Sequence, residues 1–311
     1  MKRVGKTAVR EIQQSIPAAV LIFGEKEGND EMRVVHTDVI RDAVKEMCIE
    51  ANLVLSGDVE RRICEAENQE TSELGRKILS QLKENMEIAK AEYIPICQDT
   101  GMAVIFIEIG QEVHLEGDYV EDAINEGVRQ GYQDGYLRKS VVGDPLLRVN
   151  TKDNTPAVIH TRLVPGEQIK ITTAPKGFGS ENMSRTFMLK PADGEEGVKE
   201  AVVEAVKLAG PNACPPVVVG VGIGGTFEKC ALLAKKALAR SLDVRSELPH
   251  IRAMEEELFT RINQLNIGPG GLGGTVTALG VNIETYPTHI AGLPVAVNIC
   301  CHVNRHVTRV I

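Results

Sequence analysis

Residues 95–109 read Pro-Ile-Cys-Gln-Asp-Thr-Gly-Met-Ala-Val-Ile-Phe-Ile-Glu-Ile, and the character of the chain changes within them. Upstream the period is helical. From Thr37 to about Ala91, Val39, Ile40, Val44, Met47 and Cys48 share one face at spacings of three and four. Ser72–Met86 repeats the pattern with Leu74, Ile78, Leu79, Leu82 and Met86. Thr71 reads as its N-cap, and Glu73 in the first turn suits the helix dipole. From Ala103 to Ile109 the residues are β-rich and read as a strand. Beyond it the periods alternate. Tyr119–Tyr132, Gly197–Leu208, Thr226–Arg240 and His250–Leu265 read as helices. Ala157–Leu163, Gln168–Thr173, Val217–Val221, Thr275–Glu284 and Val295–Ile299 read as strands. The fold class expected is α+β. A helical part over about residues 32–94 precedes a mixed α/β part over about residues 95–311, with residues 1–31 as an N-terminal extension.

The 311 residues suffice for a sizeable core, and a net charge of −8 repels nucleic acid and anionic membrane alike. No run is long and apolar enough for a membrane span. Ile16–Phe23 is apolar but short and lacks a small-residue cleavage site, so it is not read as a signal peptide. The seven cysteines are Cys48, Cys64, Cys97, Cys214, Cys230, Cys300 and Cys301. An odd number without regular spacing or a CxxC pair argues against a secreted disulfide framework and against a zinc ribbon. The chain reads as cytoplasmic.

Four segments join small residues to polar ones at the ends of elements, where sites are built. They are Pro95-Ile96-Cys97-Gln98-Asp99-Thr100-Gly101 before a strand, Lys176-Gly177-Phe178-Gly179-Ser180-Glu181-Asn182, Asn212-Ala213-Cys214-Pro215-Pro216 before a strand, and the stretch from His289 to Arg305. Glycines let backbone N–H groups approach an anion closely. Two other patterns compete. Gly220-x-Gly222-x-x-Gly225, with Asp243 downstream, matches a dinucleotide fingerprint, although a tight strand-to-helix turn gives the same pattern. His302 and His306 have the spacing of helical zinc ligands but lack the glutamate of HExxH.

Taken together and in order, the four segments resemble the α part of the class I fumarase and L-tartrate dehydratase family, the iron–sulfur hydro-lyases. The resemblance runs from about Met32 to the C-terminus. It implies a 4Fe-4S cluster held by Cys97, Cys214 and one of the final cysteines. Cys301 fits, seven residues after Pro294 and four before Arg305, which leaves Cys300 as a neighbour and Arg305 as a supporting residue. Three thiolates leave one iron without a protein ligand, free to act as a Lewis acid on a substrate hydroxyl. The implied reaction is reversible hydration of fumarate to (S)-malate. The resemblance further implies Gln98, Asp99, Arg138, Gly177, Gly179, Ser180 and His289 as substrate-binding residues. On their own, Asp99 reads equally as a turn or cap residue, His289 as a structural histidine, and Arg138 as a surface charge.

The family's catalytic base and several substrate arginines lie in its C-terminal part, whereas this sequence stops at Ile311, soon after Cys301. No catalytic base is therefore assigned here. A separate β subunit is the expected partner, with the active site at the α–β interface. Phe178 stands where many fumarases have glycine, and the Ser180-Glu181-Asn182 that follows is closer to the fumarase branch than to the tartrate branch. L-tartrate dehydratase is the first rival reading. A nucleotide-binding oxidoreductase and a non-catalytic iron–sulfur sensor follow it.

Overall fold

The computed structural model describes residues 32–311, so the extension assigned to residues 1–31 lies outside the described residues. The helical period before Pro95 folds as α1 (Thr37–Leu53), α2 (Gly57–Gln69) and α3 (Glu73–Glu92). Ser72, and not the expected Thr71, caps α3: its Oγ accepts the Gly75 N–H at 3.2 Å. The Thr71 N–H instead donates to Thr275 Oγ1.

The strand read at Ala103–Ile109 is β2 (Met102–Gly110). It pairs in parallel with β4 (Val158–Val164) and antiparallel with β5 (Ile169–Lys176). β10 (Val307–Val310) adds antiparallel to β5, giving the order β10-β5-β2-β4. A second sheet has the order β6-β9-β7-β8, from β6 (Arg185–Leu189), β9 (Leu293–Cys300), β7 (Val217–Gly224) and β8 (Ala278–Tyr286). β7 runs parallel to β8 and antiparallel to β9. A small parallel pair joins β1 (Arg33–His36) to β3 (Val113–Glu116). The sequence reading missed β1, β3, β6 and β10, which are short and only half-buried, so no apolar run marks them.

The N-terminal helices do not form a layer of their own. α1 joins α4 (Val120–Asp134) on the first sheet, where Ile40, Val44, Ile105, Ile107, Ile124 and Ile171 share one core. Gly127 and Gly131 let these two helices approach: a Cβ at Gly127 would lie 2.4 Å from the Arg41 carbonyl oxygen. α2 and α3 pack instead against the second sheet, where Val59, Ile63, Leu79 and Met86 meet Val218, Leu238, Cys300 and Val303. The other face of that sheet carries α6 (Gly194–Ala209) and α8 (Pro249–Asn263). Cys97 and Cys301, far apart in sequence, both pack at the border of the α2–α3 core. Among the described residues no helix is long and apolar enough to cross a membrane.

Candidate active site

Two buried side chains pin the loop between α3 and β2. Tyr132 on α4 shares its phenolic proton between the carbonyls of Thr100 (2.9 Å) and Gly101 (3.0 Å). Arg305 donates from Nη2 to the Asp99 carbonyl at 2.5 Å and from Nη1 to Asn52 Oδ1 at 2.6 Å. Within the loop the Asp99 N–H points at Cys97 Sγ, 3.4 Å away. The Asp99 carboxylate binds backbone on both sides. Oδ1 accepts the Gly101 N–H at 3.1 Å, and Oδ2 accepts the Phe178 N–H at 2.8 Å. Gly177 leaves room for this, because a Cβ there would lie 3.0 Å from Oδ2. Gly101 (φ 76°) is needed too, since any side chain would collide with the backbone of Lys176. Asp99 thus fastens the Cys97 loop to the glycine turn that opens α5 (Phe178–Glu181).

Cys214 ends a 3-10 turn (Gly210–Ala213) and is exposed, in the left-handed region at φ 52° and ψ 62°. A non-glycine residue there costs about 1–3 kcal/mol and is kept where the surroundings over-determine it. His302 does part of that, with Nδ1 3.2 Å from the Cys214 carbonyl oxygen. A carbonyl only accepts, so Nδ1 carries the proton. The glycine-rich turn at residues 268–271 supports the other side: the Gly270 N–H donates to the Pro215 carbonyl at 2.8 Å, and Gly271 packs on Pro211. Burial raises the Cys214 thiol above its usual pKa, and the nearby charges of Cys97 and Asp99 add to the effect. The His302 contact sets Cys214 beside the segment that follows Cys301.

β9 delivers the remaining cysteines. Cys300 is buried and faces the α2–α3 core, whereas Cys301, just past the strand end, is half-buried. The hydrogen bond with Cys301, helped by Lys176, Arg305 and Lys235, holds the Cys300 thiol below its usual range, whereas that same bond and burial hold Cys301 well above it. All the cysteines of the described residues are free thiols. Among those residues no three His, Cys, Asp or Glu side chains converge tightly enough to hold one metal ion. A polynuclear cluster makes a different demand, since its thiolates sit at separate corners.

The expected site residues fall into two groups. Cys97, Asp99, Gly177, Ser180 and Arg305 form one connected body, with Cys214 and Cys301 at its edges. Ser180 is buried and its hydroxyl accepts from Lys176 Nζ at 3.0 Å. Gly179 is exposed, with open space at its Cα. Gln98 and Arg138 are exposed, and Arg138 joins the loop only through its carbonyl, which accepts the Thr100 hydroxyl at 3.1 Å. His289 is exposed in the turn after β8, where its Nδ1 accepts the Ala291 N–H. The sequence reading left out Lys176, Glu181 and Asn298, which form a largely buried polar cluster behind the glycine turn. The signal was present, because Asn298 is the one polar residue in the apolar run Val295–Cys300.

The competing patterns are structural. Gly220 and Gly222 admit α7 (Phe227–Leu238) onto β7, where added Cβ atoms would lie 2.3 Å from the Ala234 carbonyl oxygen and 2.0 Å from that of Cys230. His302 and His306 lie in an irregular segment and not on a helix.

The chain is similar to known proteins over most of its length. The family model described as Fumarate hydratase (Fumerase) matches residues 41–310. A Methanocaldococcus jannaschii protein, provisionally named L(+)-tartrate dehydratase subunit alpha, is 42% identical over 272 residues, covering 86% of this chain and 95% of that protein. The L(+)-tartrate dehydratase subunit alpha of Escherichia coli strain UTI89 is 33% identical over 255 residues, or 81% of this chain and 84% of its own length. That of strain K12 is 32% identical over the same length. The chain belongs to the fumarate hydratase family, as an α-subunit-type member. Its class is that of a hydro-lyase, a carbon–oxygen lyase.

Proposed function

We propose that this chain is the α subunit of a 4Fe-4S-dependent hydro-lyase that hydrates fumarate reversibly to (S)-malate together with a β subunit. One observation carries the reading: Asp99 and Arg305 bind the Cys97 loop, the glycine turn and the segment after Cys301 into one body, beside a conformationally strained Cys214. Three free thiols, with Arg305 close to Cys301, suit a cluster as donors. Cys97, Cys214 and Cys301 would hold it, and when bound it supplies a Lewis acid through the iron that lacks a protein ligand.

The chain's own residues do the binding. The exposed Arg138 clamps one carboxylate of the dianion through its forked N–H groups. Gln98 and the turn from Gly177 through Gly179 to Ser180 offer further donors, and His289 adds one from the turn after β8. Asp99 holds the glycine turn in place, because both its carboxylate oxygens accept backbone N–H groups. The proton next to the substrate carboxylate passes to a base on the β subunit. The α-subunit names of the relatives support such a partner.

Those same names favour a second reading, L-tartrate as the substrate. Both are 2-hydroxy dicarboxylates and would use the same anion contacts, while the Ser180-Glu181-Asn182 run supports malate. The test is anaerobic reconstitution with iron and sulfide, then dehydration assays on malate and L-tartrate with and without the β subunit. A brown chain, inert alone and active with its partner, is expected, with the higher kcat/KM on malate. Preference for tartrate moves the assignment to the second reading, and a chain that takes up no cluster overturns both.

A further inference from the structure

Behind the glycine turn lies a carboxylate that the proposed chemistry does not use. Lys176 ends β5, is 5% exposed, and donates from Nζ to the Gly177 carbonyl and to Ser180 Oγ, both at 3.0 Å. Its ammonium also lies 3.2 Å from Glu181 Oε2. Glu181 Oε1 pairs with Lys235 of α7, whose side chain is largely buried. Glu181 Oε2 accepts a 2.7 Å hydrogen bond from Asn298 Nδ2 on β9, three residues before Cys301. The same Nδ2 reaches Ser184 Oγ at 2.7 Å, and that hydroxyl oxygen accepts the Ile299 N–H at 3.1 Å. One side chain thus ties together the glycine turn, the end of β5, helix α7 and the strand that delivers Cys300 and Cys301.

The charge balance is specific as well. Two ammonium groups share one carboxylate, which leaves a single buried positive charge directly behind the Gly177–Ser180 backbone. An anion on the open side of the turn meets that charge through a thickness of low-dielectric protein. Removing Glu181 would leave two like charges close together, a cost relieved by movement of the turn or by loss of a proton from one lysine. Burial lowers the pKa of Lys235 and Lys176 adds to this, whereas Glu181 opposes the shift.

We infer that Glu181 is a positioning residue, which sets the glycine turn against the Cys301-bearing strand end by balancing Lys176 and Lys235 and by holding Asn298. The inference rests on the proposed function, since it takes the turn to bind the dicarboxylate.

The experiment compares the reconstituted α–β complex with its E181Q, E181Q/K235M and N298A variants. The readouts are KM for malate, iron content, the electron paramagnetic resonance spectrum of the reduced cluster with and without malate, and melting temperature. E181Q is expected to raise KM by about tenfold or more, with iron content retained and the malate-induced spectral change diminished. E181Q/K235M restores the single net positive charge and should bring KM back towards wild type, a recovery that additive structural damage does not produce. N298A cuts the link to β9 without stranding a charge and should raise KM with little loss of melting temperature. Should E181Q fail to fold, the other two variants decide. Wild-type KM in N298A, or no recovery in the double variant, overturns the inference. A wild-type complex with no cluster and no turnover overturns the proposed function instead.

Discussion

The guanidinium of Arg305 reaches the backbone carbonyl of Asp99 at 2.5 Å, across 206 residues of sequence. Its other arm is on Asn52 Oδ1, so helix α1, the Cys97 loop and the segment after Cys301 meet on one buried cation. Arg305→Met would leave two buried acceptors without donors, at about 1–3 kcal/mol each. The expected result is a melting temperature lower by several degrees and reduced iron uptake on reconstitution. Arg305→Lys keeps the charge but not the two-armed geometry and should fall between. A methionine variant that melts like wild type would remove Arg305 from this role.

The cysteines separate by exposure. Cys214 is exposed and Cys97 and Cys301 are half-buried, whereas Cys300 is packed into the α2–α3 core. Serine at position 97, 214 or 301 is expected to abolish the brown colour and iron content after reconstitution. Cys300→Ser should keep both and lose about 1–3 kcal/mol of stability, because a hydroxyl replaces a thiol in an apolar setting. Visible absorption and iron analysis check this. A Cys300→Ser chain that takes up no iron, beside a Cys301→Ser chain that does, would reverse the assignment.

The sequence shows most of the elements because their apolar periods are strong. Ile40, Val44 and Met47 repeat as a helix face, and the short, valine-rich run Val217–Val221 suits a buried strand. The division of the early helices between two sheets is not legible. Nothing local in α1 says that it faces Ile105, or in α3 that it faces Cys300. The site is half legible. Loop motifs name Cys97, Cys214 and Cys301, but Glu181 looks like an ordinary polar residue of the glycine segment until folding brings Lys235 and Asn298 to it. The competing glycine motif misleads because close helix–strand packing and close phosphate approach both require a missing Cβ.

Acid sensitivity is expected from Glu70. Burial of this side chain pushes its pKa up, but N–H donors from Ser72, Thr275 and Val276 and the Thr275 hydroxyl outweigh that and hold it below the usual value. A carboxyl depressed in the fold stabilises above its unfolded pKa of about 4.3, and that contribution is lost as pH falls through the lower folded value. Glu70→Gln should therefore melt well below wild type at pH 7, and the difference should shrink in acid. Parallel melting curves from pH 7 to 3 check the sign. A constant gap across that range would show that the charge is not what Glu70 contributes.

Gly222 tests whether the Gly220–Gly225 turn serves packing or a nucleotide. A Cβ at Gly222 would lie 2.0 Å from the Cys230 carbonyl oxygen and 2.6 Å from the Ala234 nitrogen, both in the backbone of α7. The helix would have to lift from β7, and overpacking of this kind costs about 1–3 kcal/mol or more. Gly222→Ala is expected to lower the melting temperature markedly, while calorimetric titration of the wild-type chain with NAD gives no binding heat. Gly225 (φ 72°) lies where the chain leaves the strand, with its Cα facing Lys229 of α7. A dinucleotide site would need that space for its pyrophosphate, at the helix N-terminus. Measurable NAD affinity, lost in Gly222→Ala at temperatures where the variant is still folded, would restore the nucleotide reading of this turn.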